Sequence, residues 1–307
     1  MNIFKKRDTV AQNIAFIALA SAVNVVFVIL TTLVPLLFFL LVFILPLTST
    51  LVWILCNKKY FLVYAITSVS LCLIVNVFQI SDTIFYVIPS ILSGFIFGVL
   101  IEKKIPSFWI ILSATFVQMG ITYASLPLIK LLVEIDTIDQ FIKVFGLSEF
   151  QYSHFLPPIF IFVLSIIQTA ITFLVVSNEL EKIGIELNQK DVNHLVLEII
   201  QICLIGLTIG FAFIYGPISY LLFGLVIYFG TYMIFLCLQT KKKLPLILTF
   251  VNFFIQIFIY ALMSSIIDKP YQLLIFLDFF FIECIIDFSN YYLEKRLNKT
   301  TIKEQEE

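Results

Sequence analysis

The chain has 307 residues, of which 61% are hydrophobic and only 13% are charged. A soluble globular protein is about 25% charged and about half apolar. The net charge is −1, and no basic patch is interleaved with aromatic residues, which argues against nucleic-acid binding. The sequence has no phosphate-binding Gly-rich loop, HExxH or GxSxG motif. We therefore expect a membrane protein that is not an enzyme and needs no cofactor.

Apolar runs of about 20 residues recur along the chain, which is the length that a helix needs to cross a bilayer. They lack the alternating pattern of barrel strands. We predict an all-α, polytopic helical membrane protein with about ten transmembrane helices, and at least eight. The predicted spans are residues 10–33, 35–56, 61–79, 84–101, 107–128, 157–177, 194–214, 217–238, 244–266 and 271–292.

Basic residues are distributed unevenly between the predicted loops. With the N-terminus inside, only Lys130, Lys143 and Lys269 fall outside, whereas the other 16 of the 19 lysines and arginines are cytoplasmic. Basic residues favour the cytoplasmic side of membrane proteins. We therefore expect a multi-pass protein of the plasma membrane with both termini in the cytoplasm.

A polar segment divides the predicted spans into six and four. The predicted domains are a six-helix membrane domain (1–180), a cytoplasmic hinge (181–193), a four-helix membrane domain (194–293) and a charged cytoplasmic tail (294–307). Within the first domain, residues 129–156 form an extracellular segment. It carries apolar residues at helical spacing, which predict an amphipathic helix: Ile135, Ile138, Phe141, Ile142 and Phe145.

Small residues fall on one face of several predicted helices, where they let another helix approach closely. The candidates for helix docking are Ala11, Ala15, Ala18 and Ala22 in the first span and Gly94 and Gly98 in the fourth. Such faces serve either packing within the chain or docking of another membrane subunit.

Seven amides are expected to be buried within the predicted spans: Asn24, Asn76, Gln118, Gln168, Gln201, Asn252 and Gln256. Each either bonds a neighbouring helix or lines a polar cavity. Because they lie near the outer turns, Gln118, Tyr123 and Gln168 are the candidate substrate contacts. The two histidines, His154 and His194, fall on opposite sides of the membrane, so no metal site is expected.

The segment "LDFFFIECIIDFSNYYLEKR" places three acids in an apolar run. At about 100° per residue, Glu283 and Asp287 share a helix face, and Asp278 points roughly to the opposite side. An acid inside the membrane costs free energy and commonly marks a functional site. Glu283 therefore either contacts a proton, cation or ligand, or is a neutral acid bonded to an amide such as Gln256.

Three segments carry a resemblance to a known family: "TVAQNIAFIALASAVNVVF", "FILPL" and "SGFIFGVLIEKK", with the acidic segment above closing the chain. In these the chain resembles the YybS-like membrane proteins of low-GC Gram-positive bacteria, which are related to the S components of energy-coupling-factor (ECF) transporters. The resemblance covers residues 1–180 best. It implies a six-helix substrate-binding unit whose first-helix alanines dock to a coupling transmembrane subunit with separate ATPases. The four further spans have no counterpart in an S component.

These observations lead to three functional hypotheses. The first is a substrate-binding component for uptake of a small solute, such as a vitamin or micronutrient, working with coupling and ATPase subunits. The second is a membrane scaffold or regulator of envelope machinery that does not transport. The third is a proton-coupled secondary transporter that uses Glu283.

Overall fold

The structure is a computed structural model that describes residues 6–34, 37–77, 80–134, 136–144, 146, 153–185, 193–239, 243–263 and 273–290. These residues form helices and no strand. The helices are α1 (Val10–Leu33), α2 (Phe38–Leu55), α3 (Lys59–Val75), α4 (Ile88–Glu102), α5 (Ser107–Val133), α6 (Thr137–Val144), α7 (Leu156–Lys182), α8 (His194–Ile214), α9 (Gly216–Gln239), α10 (Lys243–Met263) and α11 (277–290).

Seven helices in the described ranges are long and apolar enough to cross a membrane, and α2 and α3 are shorter apolar helices. A 3₁₀ turn, Leu273–Phe276, leads directly into α11. Together these 18 helical residues extend about 30 Å, the thickness of a bilayer core. The chain is therefore a helical membrane protein, as its composition predicts.

Prolines occupy the first turns of several helices, where the missing backbone N–H costs nothing. Pro89 follows a π-helical turn, Thr83–Val87, at the start of α4. Pro217 and Pro245 lie in the first turns of α9 and α10. Pro46 is different, because it lies inside α2.

The chain divides into two compact units. Unit 1 comprises Met1–Ser148 and Phe160–Lys190, and unit 2 comprises Glu149–Ile159 and Asp191–Glu307. Helices α1 to α6 and most of α7 belong to unit 1, whereas α8 to α11 belong to unit 2.

In unit 1, hydrogen bonds between polar side chains connect α1 and α3. The amide of Asn24 donates to the Tyr64 hydroxyl (2.9 Å) and to Ser68 Oγ (3.2 Å), and Ser68 donates to Ser21 (2.9 Å). Thr48 of α2 donates to Asn24 Oδ1 (2.8 Å). These amide and hydroxyl groups have hydrogen-bond partners within the bundle. Of the two roles proposed for the amides, Asn24 therefore joins neighbouring helices and does not line a polar cavity.

Helices α2 and α4 pack backbone against backbone. Ser49 donates to the Ile91 carbonyl (2.6 Å), and Thr50 donates to the Gly94 carbonyl (2.9 Å). The close approach requires glycine, since a Cβ on Gly94 would lie 2.3 Å from the Pro46 carbonyl oxygen. Gly98 packs in the same way on the Trp53 side chain.

Helices α5 and α7 run several residues beyond their predicted ends, to Val133 and Lys182. The hydroxyls of Thr115 and Thr169 join these two helices at 2.6 Å. Of the predicted amphipathic segment, residues 129–133 complete α5, Thr137–Val144 form α6, and a 3₁₀ turn at Ser153–Phe155 leads into α7.

Within that segment, Ile142 is buried, and the Phe141 ring lies 5.0 Å from the Phe160 ring. The predicted stripe residues Ile135 and Phe145 lie outside the described residues, as does the predicted tail 294–307.

In unit 2, helices α8 and α9 form a tight hairpin, because only Tyr215 separates them. Ser219 donates to the Thr208 carbonyl (2.8 Å) across this hairpin. Asn252 of α10 donates to the Phe279 carbonyl of α11 (3.1 Å), and the Tyr260 ring stacks on Phe276. Most apolar side chains of α10 are exposed, whereas Asn252 and Gln256 on its inner face are buried.

Candidate functional site

The carboxyl group of Glu283 lies at the centre of the candidate site in unit 2. Its side chain is 1% exposed, and neither of its carboxylate oxygens has a hydrogen-bond partner. Helix α11 places Glu283 on the face that turns inward, whereas Asp278 is exposed. This arrangement follows from the 100° rotation per residue that the sequence predicts.

Further polar side chains without partners lie buried on two neighbouring helices. Helix α8 contributes Glu198, whose Oε2 has no hydrogen-bond partner, and Gln201, in which neither amide atom has one. Helix α10 contributes Gln256, whose Oε1 also has no partner. All three side chains are 3% exposed or less. We call Glu283, Glu198, Gln201 and Gln256 the acid–amide cluster, a set defined by what its members share, which is burial in unit 2 and polar atoms without partners.

Helix α9 approaches α11 closely beside Glu283. A Cβ on Gly230 would lie 2.3 Å from the Phe280 ring and 2.8 Å from Glu283 Oε2. Further along both helices, Cys237 Sγ lies 3.5 Å from Asp287 Oδ1. Because later residues of α9 meet later residues of α11, these two helices run in the same direction.

The cluster lies below one face of unit 2. Helices α8 and α10 begin at this face, and α9 and α11 end there. At 1.5 Å per residue, Glu198 is about 6 Å from its helix end, Glu283 about 10 Å and Gln256 about 20 Å. The polar groups therefore span about half of the bilayer core.

The site is acidic, and few basic side chains lie near enough to neutralise its negative charge. Asp287 is half-buried and close enough to Glu198 and Glu283 for its charge to act on both. In the described part of unit 2, the single lysine is Lys243, which is exposed at the start of α10. Among the described residues, no three His, Cys, Asp or Glu side chains form a group that would hold a metal ion.

This arrangement has a clear chemical consequence. An ionised carboxylate without a partner in a low-dielectric interior costs several kcal/mol. A bound proton or a small cation removes that cost, and carboxylate and amide oxygens are suitable ligands for it. The buried carboxylate of Glu283 therefore has the chemistry of a proton or cation ligand.

Of this cluster, the sequence identified Glu283 as the costly acid and Gln201 and Gln256 as amides within the spans. It did not single out Glu198. An acid near the start of a helix is ordinarily explained by its favourable interaction with the helix dipole. A single Glu at that position therefore does not by itself predict a functional site. The available signal was its spacing, because Glu198 and Gln201 are three residues apart and share a helix face.

The candidate substrate contacts lie in unit 1. Gln118 is 3% exposed and is one turn from Thr115, and the half-buried Gln168 is adjacent to Thr169. The Thr115–Thr169 hydrogen bond thus brings these parts of α5 and α7 together. Tyr123 is 44% exposed and does not face the interior of the unit.

The small residues have two different environments. Gly94 and Gly98 pack against α2 of the same chain. By contrast, the four alanines of α1 are all exposed: Ala11, Ala15, Ala18 and Ala22. The buried face of α1 instead carries Asn13, Ile17, Ala20, Ser21, Asn24 and Val28.

No family model matches the chain, and neither a curated protein nor a solved structure shows significant similarity to it.

Proposed function

We propose that this protein is a small-solute transport protein of the membrane in which the acid–amide cluster binds a proton or small cation during transport. The proposal rests on one observation, the burial of Glu283 with both carboxylate oxygens unpartnered. Ionisable residues inside membrane segments typically lie on substrate, ion or proton pathways.

The unpartnered amides argue against a purely structural role for the acids. A neutral glutamic acid that only joined helices would donate its proton to an acceptor on a neighbouring helix, but neither carboxylate oxygen of Glu283 has a partner, and Gln256 Oε1 lies about 10 Å farther from the face at which α11 ends. That oxygen has no partner, and neither has either amide atom of Gln201. Buried polar groups in native proteins normally have partners. A bound ligand would supply them here.

Charge movement in proteoliposomes tests this proposal whatever the transported solute is. The purified protein is reconstituted and adsorbed on a solid-supported membrane, and the external solution is switched to lower pH, to sodium or to methylammonium. We expect a transient current with at least one of these switches. Glu283→Gln should abolish it, because the amide keeps the side-chain volume but cannot carry the negative charge.

Asp278→Asn is the matched control, since it neutralises an exposed acid of the same helix. It should keep the current. Glu283→Gln should also keep or raise the melting temperature, because it removes an uncompensated buried acid. A current that survives Glu283→Gln, or no current with any switch, would contradict the proposal.

The proposed topology has ten crossings, with both termini in the cytoplasm of a cell whose plasma membrane holds the protein. In each unit, two helices that are separated by one other helix in the sequence run in the same direction. This is expected if successive helices cross the membrane in opposite directions. In unit 1, Ser21 meets Ser68 and Thr32 meets Asn76, so α1 and α3 run in the same direction. The presence of 16 basic residues on the predicted inner side, against three on the outer side, supports the orientation.

ATP-driven uptake with a separate coupling subunit is the second candidate function. It is favoured by the exposure of Ala18 and Ala22 on α1, on the surface where the S-component resemblance implies docking. Affinity purification in mild detergent should then recover a coupling subunit and ATPases. Ala18→Leu with Ala22→Leu should lose them, whereas Val26→Leu should not. Recovery of envelope-assembly proteins instead would favour the scaffold hypothesis.

A further inference from the structure

A cavity of about 440 Å³ lies at one face of unit 1. Four helix termini surround it, since α1 and α3 begin there and α2 and α4 end there. Its lining residues are Lys6, Arg7, Asp8, Trp53, Ile54, Cys56, Asn57, Lys58, Lys59 and Glu102. The cavity therefore lies at the level where membrane helices end.

The lining is positively charged. Four basic side chains face two acids, which leaves a net charge of +2. Glu102 is already compensated, because it accepts hydrogen bonds from Lys58 Nζ (2.9 Å) and Trp53 Nε1 (3.2 Å). Lys6 and Lys59 are exposed and form no ion pair among the described residues.

Aromatic side chains hold the basic groups in place. The Arg7 guanidinium lies 5.0 Å from the centre of the Phe16 ring, and the Lys58 ammonium lies 5.4 Å from the Trp53 ring. Trp53 in turn packs edge-on against Phe61 (5.6 Å) and Phe95 (4.8 Å). The Arg7 backbone also donates to the Leu55 carbonyl (2.8 Å), which anchors the N-terminal segment beside the cavity.

Exposed apolar side chains continue from the cavity along the outer faces of α1 and α3. Val10 and Ile14 follow Lys6 and Arg7, and Leu62 follows Lys59. A ligand that combines an anionic head with apolar tails would place its head among the lysines and its tails along these faces. A free anion would use the first feature alone.

We propose that this cavity binds the phosphate headgroup of an anionic phospholipid. Lys6 and Lys59 contact the phosphate, and Arg7 and Lys58 supply further positive charge at the rim. Basic residues at the membrane surface attract anionic lipid headgroups in this way. The site is independent of the transport proposal, because it uses neither Glu283 nor any residue of unit 2.

Tryptophan fluorescence offers a direct test, because Trp53 lines the cavity and the chain contains only 2 tryptophans. In a Trp109→Phe background, Trp53 is the single reporter. We titrate the detergent-solubilised protein with short-chain phosphatidylglycerol, with phosphatidylcholine of the same chain length and with inorganic phosphate. We expect a saturable change in Trp53 emission with phosphatidylglycerol only.

Lys6→Ala with Lys59→Ala should weaken this binding at least about tenfold, since each lysine near an anionic headgroup contributes about 1 kcal/mol. Lys103→Ala with Lys182→Ala is the matched control, because it removes two exposed charges that do not line the cavity. The control should bind like the parent. Unchanged Trp53 emission without lipid verifies that both variants are folded.

Three results would overturn the proposal. Equal loss in both double variants would mean that general surface charge attracts the lipid. The same saturable response to inorganic phosphate would mean that the site takes a free anion. If Trp53 emission does not respond, native mass spectrometry counts the bound lipids. Equal retention of phosphatidylglycerol and phosphatidylcholine would then overturn it.

Discussion

Close helix contacts in both units depend on single glycine residues. At Gly94 the neighbouring atom is the backbone oxygen of Pro46, which has no rotamer to change. At Gly230 the neighbours are the Phe280 ring and the Glu283 carboxylate. In contrast, Gly120, Gly206 and Gly210 have open space where a Cβ would lie. Glycine is therefore required for close helix packing at Gly94 and Gly230, whereas a larger side chain would fit at the other three positions.

Gly94→Ala should destabilise the protein by about 1–3 kcal/mol, because the added methyl group forces α2 and α4 apart. Its melting temperature in detergent should fall accordingly. Gly120→Ala, which meets no atom within 4 Å, should leave the melting temperature unchanged or slightly raise it. Equal melting temperatures for the two variants would show that α2 and α4 are in looser contact than the Gly94 geometry implies.

At the scale of a single residue, burial is what the sequence predicts least well. The positions of Glu283 and Asp278 on opposite faces of α11 follow from helix geometry alone. The burial of Glu198 depends on α8 packing within unit 2, which no local pattern encodes. For the same reason, the alanines of α1 and the glycines of α4 look equivalent in sequence but differ in exposure.

At the scale of an element, α6 is held at its start by one charged side chain. Asp136 Oδ1 accepts hydrogen bonds from the backbone N–H groups of Ile138 (3.1 Å) and Asp139 (3.2 Å). Its other oxygen accepts one from Lys130 Nζ (2.6 Å). The hydrogen bond from Lys130 lowers the pKa of the Asp136 carboxyl below its ordinary value of 3.8. Asp136 therefore links the end of α5 to the start of α6.

This link predicts a pH dependence for α6. Because the pKa of Asp136 is lowered in the folded protein, its stabilising effect is present above pH 3.8 and is lost as the pH falls through the lower value. Over that range the α6 amides should lose protection, measured as their hydrogen-exchange rate relative to the intrinsic rate of an unstructured peptide at the same pH. Asp136→Asn should show faster exchange already at neutral pH, because it weakens the link to Lys130.

Lys143→Ala serves as the control for this experiment, because Lys143 is an exposed residue in the last turn of α6. Its exchange rates should match those of the unaltered protein. If Asp136→Asn leaves the α6 amides as protected as before, α6 is held by the packing of Ile142 and Phe141 alone.

The existence of the helices was the most predictable feature at this scale. Apolar length dictates them, because the bilayer requires every backbone group to be bonded within the helix. Helix ends were less predictable. The π-helical turn at Thr83–Val87 was not anticipated from the sequence, although Pro89 accounts for it by removing a backbone donor. Helix α7 extends further because its polar last turn remains helical beyond the apolar run, whereas α5 extends because its apolar sequence continues to Val133.

At the scale of the whole molecule, the predicted orientation can be tested by labelling cysteines in loops on opposite sides of the membrane. Lys143→Cys and Lys103→Cys, each in a cysteine-free background, place one thiol on each predicted side. A membrane-impermeant maleimide added to intact cells should label Lys143→Cys and should not label Lys103→Cys. After permeabilisation both should react. The reverse pattern would invert the proposed topology.

The division of the chain into two units was easier to predict from the sequence than the acid–amide cluster in unit 2. Composition and apolar length predict the number and approximate position of the helices, and the polar hinge suggests a division of the chain. The acid–amide cluster was only partly predictable, since it assembles from residues that are separated by up to 85 positions in the sequence, from Glu198 to Glu283. Such a cluster depends on which helix faces meet, and tertiary packing decides that.

The unpartnered Glu283 also has a consequence for biogenesis. A segment with Asp278, Glu283 and Asp287 is a poor substrate for independent membrane insertion, since a central acid costs about 2.5–3.5 kcal/mol at the translocon. Helix α11 leaves the ribosome after α8, α9 and α10, so its neighbours are already in the bilayer. We therefore expect those helices to assist its insertion. Asn252 would bond the Phe279 carbonyl, and the space beside Gly230 would hold Phe280 and Glu283.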